Sequence, residues 1–215
     1  IVRNNAGTWQ YNTQTVTSGY GIENITEDGV TFSAGSYETS IETVLLNNDG
    51  TKMYIIGSNG DDITEFGLST AYDVSTASLN STFSLGSQMI APRGGAFSPD
   101  GTVLWITGES NIAGQPGDGI WQYTLTTGFD VSTASYSGTS RNLSTLSGSP
   151  APRGGTFNND GTKYFFCNYD NSRIYEYRFS TGYDLSSFTT DSSKDVSPQD
   201  SVPIHILFND DGTKL

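Results

Sequence analysis

The chain has one cysteine, Cys167, and one histidine, His205. A single thiol excludes an intramolecular disulfide framework and any cysteine-based zinc knuckle. A single imidazole excludes a multi-histidine metal site within the chain. Basic residues are scarce as well: 10 Lys and Arg stand against 23 Asp and Glu, a net charge of −13 at pH 7. Such an excess of negative charge repels phosphate backbones and anionic head groups, so neither nucleic acid nor a membrane surface is an expected partner. No window approaches the roughly 20 consecutive apolar residues of a membrane helix, and no membrane insertion is expected. There is no sustained 3.6-residue apolar period, which argues against long helices. Nucleophile elbow, phosphate loop, zinc-protease helix and dinucleotide fingerprint are all missing. The carboxylate pairs Asp61-Asp62 and Asp210-Asp211 fall in turns. No cofactor or metal is expected.

Aromatic residues are plentiful, with 11 Phe, 12 Tyr and 3 Trp making up 12% of the chain. That is enough to furnish a core and sets the chain apart from disordered sequences. The strongest signal is internal repetition. Asp-Gly-Thr recurs at Asp49, Asp100, Asp160 and Asp211, at spacings of 51, 60 and 51 residues. Leu46, Phe97, Phe157 and Phe208 precede the four turns by three residues. After the first three turns come an apolar run, an Ile-x-x-aromatic run, and then Tyr72-Asp73-Val74-Ser75, Phe129-Asp130-Val131-Ser132 or Tyr183-Asp184-Leu185-Ser186. The longer middle spacing resolves into six extra residues in the loop Glu109 to Gly119 and three more before Asp160. A constant frame with length changes confined to polar Gly/Pro segments describes loops on a repeated scaffold.

Each unit reads as short strands rich in β-branched and aromatic residues. Asp49, Asp100, Asp160 and Asp211 are placed in hairpin turns, where glycine supplies positive φ and Asp bonds its own backbone. Four strands per repeat of about 50 residues predict an all-β fold, a β-propeller of four-stranded antiparallel blades, only part of which this chain holds. A complete ring of 6–8 blades is expected. The chain divides into an N-terminal segment, 1–27, and a propeller part, 28–215. Within the latter, Phe32 matches Phe83 and marks 28–36 as an outermost strand. Blades follow at about 37–87, 88–147 and 148–198, and 199–215 begins another. Starting at Ile1 and stopping inside a repeat, the sequence reads as part of a longer polypeptide.

The repeats Ala91-Pro92-Arg93-Gly94-Gly95-Ala96-Phe97-Ser98-Pro99-Asp100-Gly101-Thr102 and Ala151-Pro152-Arg153-Gly154-Gly155 onward resemble those of YVTN and WD40-like propellers. The Ser69 to Ser78 loop and the stretch Val2 to Asn12 resemble propeller proteins of marine bacteriophage virions. The resemblance implies a non-enzymatic structural or recognition module: a tail fibre or capsid decoration touching the host surface. It implies a place on the virion or outside the cell, with other virion or surface proteins and a host-surface glycan as partners; a homo-oligomer is compatible with it. Two alternatives stand beside it. One is a secreted or cell-surface bacterial propeller for adhesion or envelope assembly; the other is a propeller lactonase or glycosidase.

Candidate site residues sit where the repeat is broken or converges on the channel. Arg93 and Arg153 lie seven residues before their turn Asp, at the entry of the innermost strand, where Glu42 and Ile204 stand in the other repeats. They read either as a rim that grips a carboxylate or sugar, or as inter-blade ion pairs. His205 lies beside Ile204 at that rim. The inserted loop brings Glu109 and Asp118, and Trp121 follows it, to stack on a sugar or pack in the core. The turn aspartates fail the ligand spacing of a calcium loop. Asp73, Asp130 and Asp184 read as caps of tight loops, and Cys167 as a buried apolar residue. Asn24, Asn80 and Asn142 open glycosylation triplets of low specificity.

Overall fold

The computed structural model describes residues 2–3, 9–10, 29–143, 151–209 and 211–215. At the N-terminus β1 (Val2–Arg3) and β2 (Trp9–Gln10) form a small antiparallel ribbon. The rest of the virion-like stretch and the Asn24 triplet lie outside the described residues, as does part of the Asn142 triplet. Three four-stranded antiparallel meanders follow. Blade 1 is β3 (Ile41–Leu46), β4 (Lys52–Gly57), β5 (Asp62–Leu68) and β6 (Ala77–Ser84). Blade 2 is β7 (Ala91–Phe97), β8 (Val103–Glu109), β9 (Asp118–Leu125) and β10 (Ala134–Asn142). Blade 3 is β11 (Pro152–Phe157), β12 (Lys163–Asn168), β13 (Arg173–Phe179) and β14 (Phe188–Asp195). Among the described residues no helix is long and apolar enough to cross a membrane.

Second strands are apolar on both sides because blades stack face to face. In β4, Tyr54 and Ile56 meet Leu104 and Ile106 of blade 2, whereas Met53 and Ile55 face the opposite way. In β8, Trp105 takes the next step and packs against Tyr164 and Phe179 of blade 3. Inner strands approach closely where the sequence reads Gly-Gly: a Cβ on Gly94 would lie 2.7 Å from the Gly154 backbone. Any side chain there would force blades 2 and 3 apart.

The Asp-Gly-Thr turns share one geometry. Asp49, Asp100, Asp160 and Asp211 each accept bonds from the amide and the hydroxyl of the Thr two residues on. Gly50, Gly101, Gly161 and Gly212 adopt φ near +70°, a region costly for residues with a Cβ. Asp73, Asp130 and Asp184 cap short 3-10 turns through the amide two residues later.

The expected outermost strand over 28–36 is not one: residues 29–34 join no ladder. No described strand pairs with them, and a strand needs that partner. Their side chains still do an outer strand's packing. Val30, Phe32 and Ala34 cover blade 1, with Phe32 edge-on to Phe66 at 5.0 Å. Against blade 2 the equivalent residue, Phe83 of β6, stands edge-on to Tyr123 at 5.7 Å.

Candidate functional site

Four of the sequence candidates, Arg93, Arg153, Glu109 and Asp118, meet at one end of the inner strands. β7 and β11 start there, while β8 ends and β9 begins there, with Glu109 paired in register to Asp118. Carboxylates and guanidinium groups alternate along the rim. Arg93 Nη1 lies 2.6 Å from Glu42 Oε1, and its Nε lies 3.2 Å from Glu109 Oε1. Arg153 Nη1 reaches the same Glu109 oxygen at 3.6 Å and stacks over Tyr169 at 4.9 Å. Burial disfavours the Arg93 charge, but the bond and charge of Glu42, helped by Glu109, outweigh it and raise its pKa. Arg93 is thus held between two carboxylates. Arg153 has only the longer contact to one, and the same Nη1 donates to the Pro152 carbonyl at 3.4 Å.

Asp118 has its pKa raised, first by burial, then by the neighbouring negative charges of Glu109 and Asp170; Arg153 opposes the rise. Burial and a neighbouring carboxylate both disfavour the charged form of such a carboxyl, and shifts of that kind mark candidates for proton transfer. Asp170 was not singled out in the sequence, where only its position in the β12–β13 turn marks it.

Two candidates lie elsewhere. His205 is not joined to this ionic set. Its ring lies against Gly154, where a Cβ would meet it at 2.1 Å, and desolvation lowers its pKa. It lines a cleft of about 290 Å³ with Leu45, Gly95, Phe97, Gly155 and Leu207. Trp121 is fully buried, and its indole N–H donates to Gln115 of the inserted loop at 2.9 Å. Stacking on a sugar is therefore corrected to core packing, because no face of the ring reaches solvent. The inserted loop supplies the acceptor that makes this burial tolerable. Cys167 is buried, and burial, with the charge of Asp200, pushes its thiol up to about 12. Asn80 donates to Glu65 at 3.1 Å. Among the described residues no three His, Cys, Asp or Glu side chains gather as a metal site.

No protein-family model matches the chain, and no curated protein matches it. Solved structures do. A protein from Bacteroides uniformis named as a candidate 6-phosphogluconolactonase has a TM-score of 0.53 at 15% identity, over 79% of this chain and 47% of that one. A protein from Lactobacillus plantarum gives 0.51 at 18% identity, over 70% and 40%. Hydrazine synthase from Kuenenia stuttgartiensis gives 0.52 at 14%, over 80% and 40%. The fold is that of a partial β-propeller. At these identities the likeness extends to fold alone, and this chain spans less than half the length of each of the three.

The expectation of a non-enzymatic module, whether virion appendage or bacterial surface propeller, is corrected at this point. Of these three neighbours, two carry enzyme names and none is named as a virion or adhesion protein. The lactonase name matches the third reading of the sequence. Neither the YVTN/WD40-like nor the bacteriophage resemblance gains support from them.

Proposed function

We propose that this chain contributes the rim of a propeller hydrolase that opens the lactone of a sugar acid carrying an anionic group. The observation that carries the reading is the convergence of Arg153, Glu109 and Asp118 at the mouth of the inner strands. The name of the Bacteroides uniformis neighbour, a candidate 6-phosphogluconolactonase, suggests the substrate class. In lactone hydrolysis a water attacks the carbonyl carbon, the acyl C–O bond of the ring breaks, and the ring oxygen leaves as a hydroxyl. The water's proton goes to a base, and the leaving alkoxide takes one up. Asp118, whose pKa is raised by burial and by Glu109, is assigned to accept the proton. Arg153 is assigned to the substrate's anionic group through its planar donors. Glu109 fixes both guanidinium groups, and Glu42 holds Arg93 from the other side.

The test is acid release from 6-phosphoglucono-δ-lactone and from glucono-δ-lactone, followed by titration at constant pH. The reading predicts catalysed opening of the phosphorylated lactone, with Arg153→Ala raising KM more for it than for the neutral lactone. Background rates for both lactones would sink the proposal.

A further inference from the structure

The three blades contain two inter-blade seams, and both place an aromatic ring over a turn glycine and send the amide two residues on to the preceding blade. In the first, the ring of Phe129 lies over the turn glycine of its own blade: a Cβ on Gly101 would meet it at 2.4 Å. Its amide donates to the Gly101 carbonyl at 3.1 Å. Its own carbonyl accepts from Lys52 Nζ at 2.8 Å and Tyr54 Oη at 2.6 Å of the preceding blade. Two residues on, the amide of Val131 donates to Glu65 at 2.9 Å. In the second seam Tyr183 covers Gly161, and the Leu185 amide donates to Gln122 at 2.8 Å. The aromatic residues hold a left-handed backbone, with φ of 62° at Phe129 and 58° at Tyr183. Bulky residues rarely adopt it, and Tyr72 over Gly50 in blade 1 holds it as well, at φ 64°.

The open face of blade 3 repeats the receiving half of this seam. Phe165 occupies the Tyr54 and Trp105 position and packs on Phe208 at 4.7 Å, as Tyr54 packs on Phe97 at 4.8 Å and Trp105 on Phe157 at 4.7 Å. Lys163 and Glu176 stand where Lys52 and Glu65 stand, paired at 3.6 Å. The Glu65 carboxylate is 2% exposed beneath its partner turn, and Glu176 is 20% exposed. Gly212 has φ +70° like the other turn glycines, yet nothing lies within 4 Å of its Cβ position. Between these groups is a cleft of about 340 Å³.

We infer that this cleft is a preformed socket for one occupant: the aromatic-Asp-aliphatic-Ser turn of a fourth repeat of the same kind. The ring seats between Phe165 and Gly212, its amide bonds the Gly212 carbonyl, and the amide two residues on bonds Glu176. The argument uses the two filled seams and is independent of the hydrolase proposal.

The test extends the chain after Leu215 with a copy of its own residues 54–87. That segment continues the repeat in register, since Met53 and Leu215 both stand four residues past their turn Asp, and it carries Tyr72 as the ring. Amide hydrogen exchange is read at 208–212, with β8 and β9 as the folding control. The expected result is at least tenfold slower exchange at 208–212 in the extended chain. Tyr72→Ala in the appended copy abolishes the slowing, and Glu176→Ala weakens it while leaving the unextended chain unchanged. A second extension, residues 165–198 with Tyr183 as the ring, repeats the test with an independent sequence. Exchange at 208–212 that neither extension slows, or that is slowed equally without the ring, overturns the inference.

Discussion

At one end of the inner strands β3, β7 and β11 the same Asp-Gly-Thr turn closes every blade. At the other end the equivalent positions hold Glu42, Arg93 and Arg153, and the β8 terminus adds Glu109 where the other blades have Ser58 and Tyr169. At the turn end each Asp bonds the Thr two residues away in its own blade, and the bonds that cross to the next blade go mostly to main-chain groups. At the rim end the contacts between blades are ion pairs, Arg93 to Glu42 of blade 1 and Arg153 to Glu109 of blade 2. A residue that recurs serves the scaffold, and a position that changes from blade to blade is free to serve a site. The same division separates stability from chemistry, and substitutions at the two ends should separate accordingly.

The largest effect belongs to neither end but to the seam that supports both. Trp105→Ala removes a fully buried ring with three aromatic neighbours. It should cost about 3–5 kcal/mol of stability, read as a lowered denaturation midpoint. Next is the turn end: Gly101→Ala places a methyl at φ +70° and against the Phe129 ring, for a loss of about 1–3 kcal/mol. Asp130→Ala removes the cap of the turn beside it and should cost about 1 kcal/mol. At the rim, Arg93→Ala should cost under about 1 kcal/mol, since its carboxylate partners are partly exposed and such pairs contribute little. A rim substitution that unfolds the chain, or a turn substitution that does not destabilise it, breaks the division.

Titration sharpens the same contrast. Hydrogen bonds from Thr side chains and amides lower the pKa of Asp49, Asp160 and Asp211, and bonds from Ser98 and Thr102 lower that of Asp100. Their contribution is present above the unfolded carboxylate value and lost as the pH falls through the folded one, below about 4. Asp118 is shifted the other way by burial and Glu109. Its contribution is present in acid and lost as the pH rises through its elevated folded value. Melting temperature against pH should therefore fall in acid, and Asp118→Asn should raise stability on the neutral side while leaving the acid limb in place. The smallest expected signal is no signal: Cys167, buried with its thiol pushed up to about 12, should not react with a thiol reagent at pH 8 until the chain unfolds.

The frame of this fold is legible in the residues because every repeat states it again. Strand, turn and cap positions follow from Asp-Gly-Thr and from the aromatic-Asp-aliphatic-Ser loop. Residues 28–36 misled because Phe32 has the side-chain pattern of Phe83 without a partner strand among those described, and pairing is a property of two segments. Trp121 carried two readings, stacking on a sugar or packing in the core, and the structure decides for the core: the inserted loop's Gln115 caps an indole already inside it. The rim set of Arg93, Arg153, Glu109 and Asp118 was found one residue at a time. Their alternation depends on neighbouring blades meeting, as does the contribution of Asp170, which no spacing announces. The left-handed backbone at Tyr72, Phe129 and Tyr183 was hidden for a similar reason: each ring lies over the turn glycine some 22 to 28 residues earlier in its own blade, a contact that only the folded blade brings together.

The most direct test of the division between scaffold and site is one assay on paired variants. Opening of 6-phosphoglucono-δ-lactone and melting temperature would be measured for Arg153→Ala, Asp118→Asn and Asp130→Ala. The account predicts that the two rim variants lose at least about 100-fold in kcat/KM without melting earlier, while Asp130→Ala melts earlier and keeps its activity below that temperature. Activity that follows melting temperature across all three, or an unsubstituted protein that opens no lactone, would contradict it.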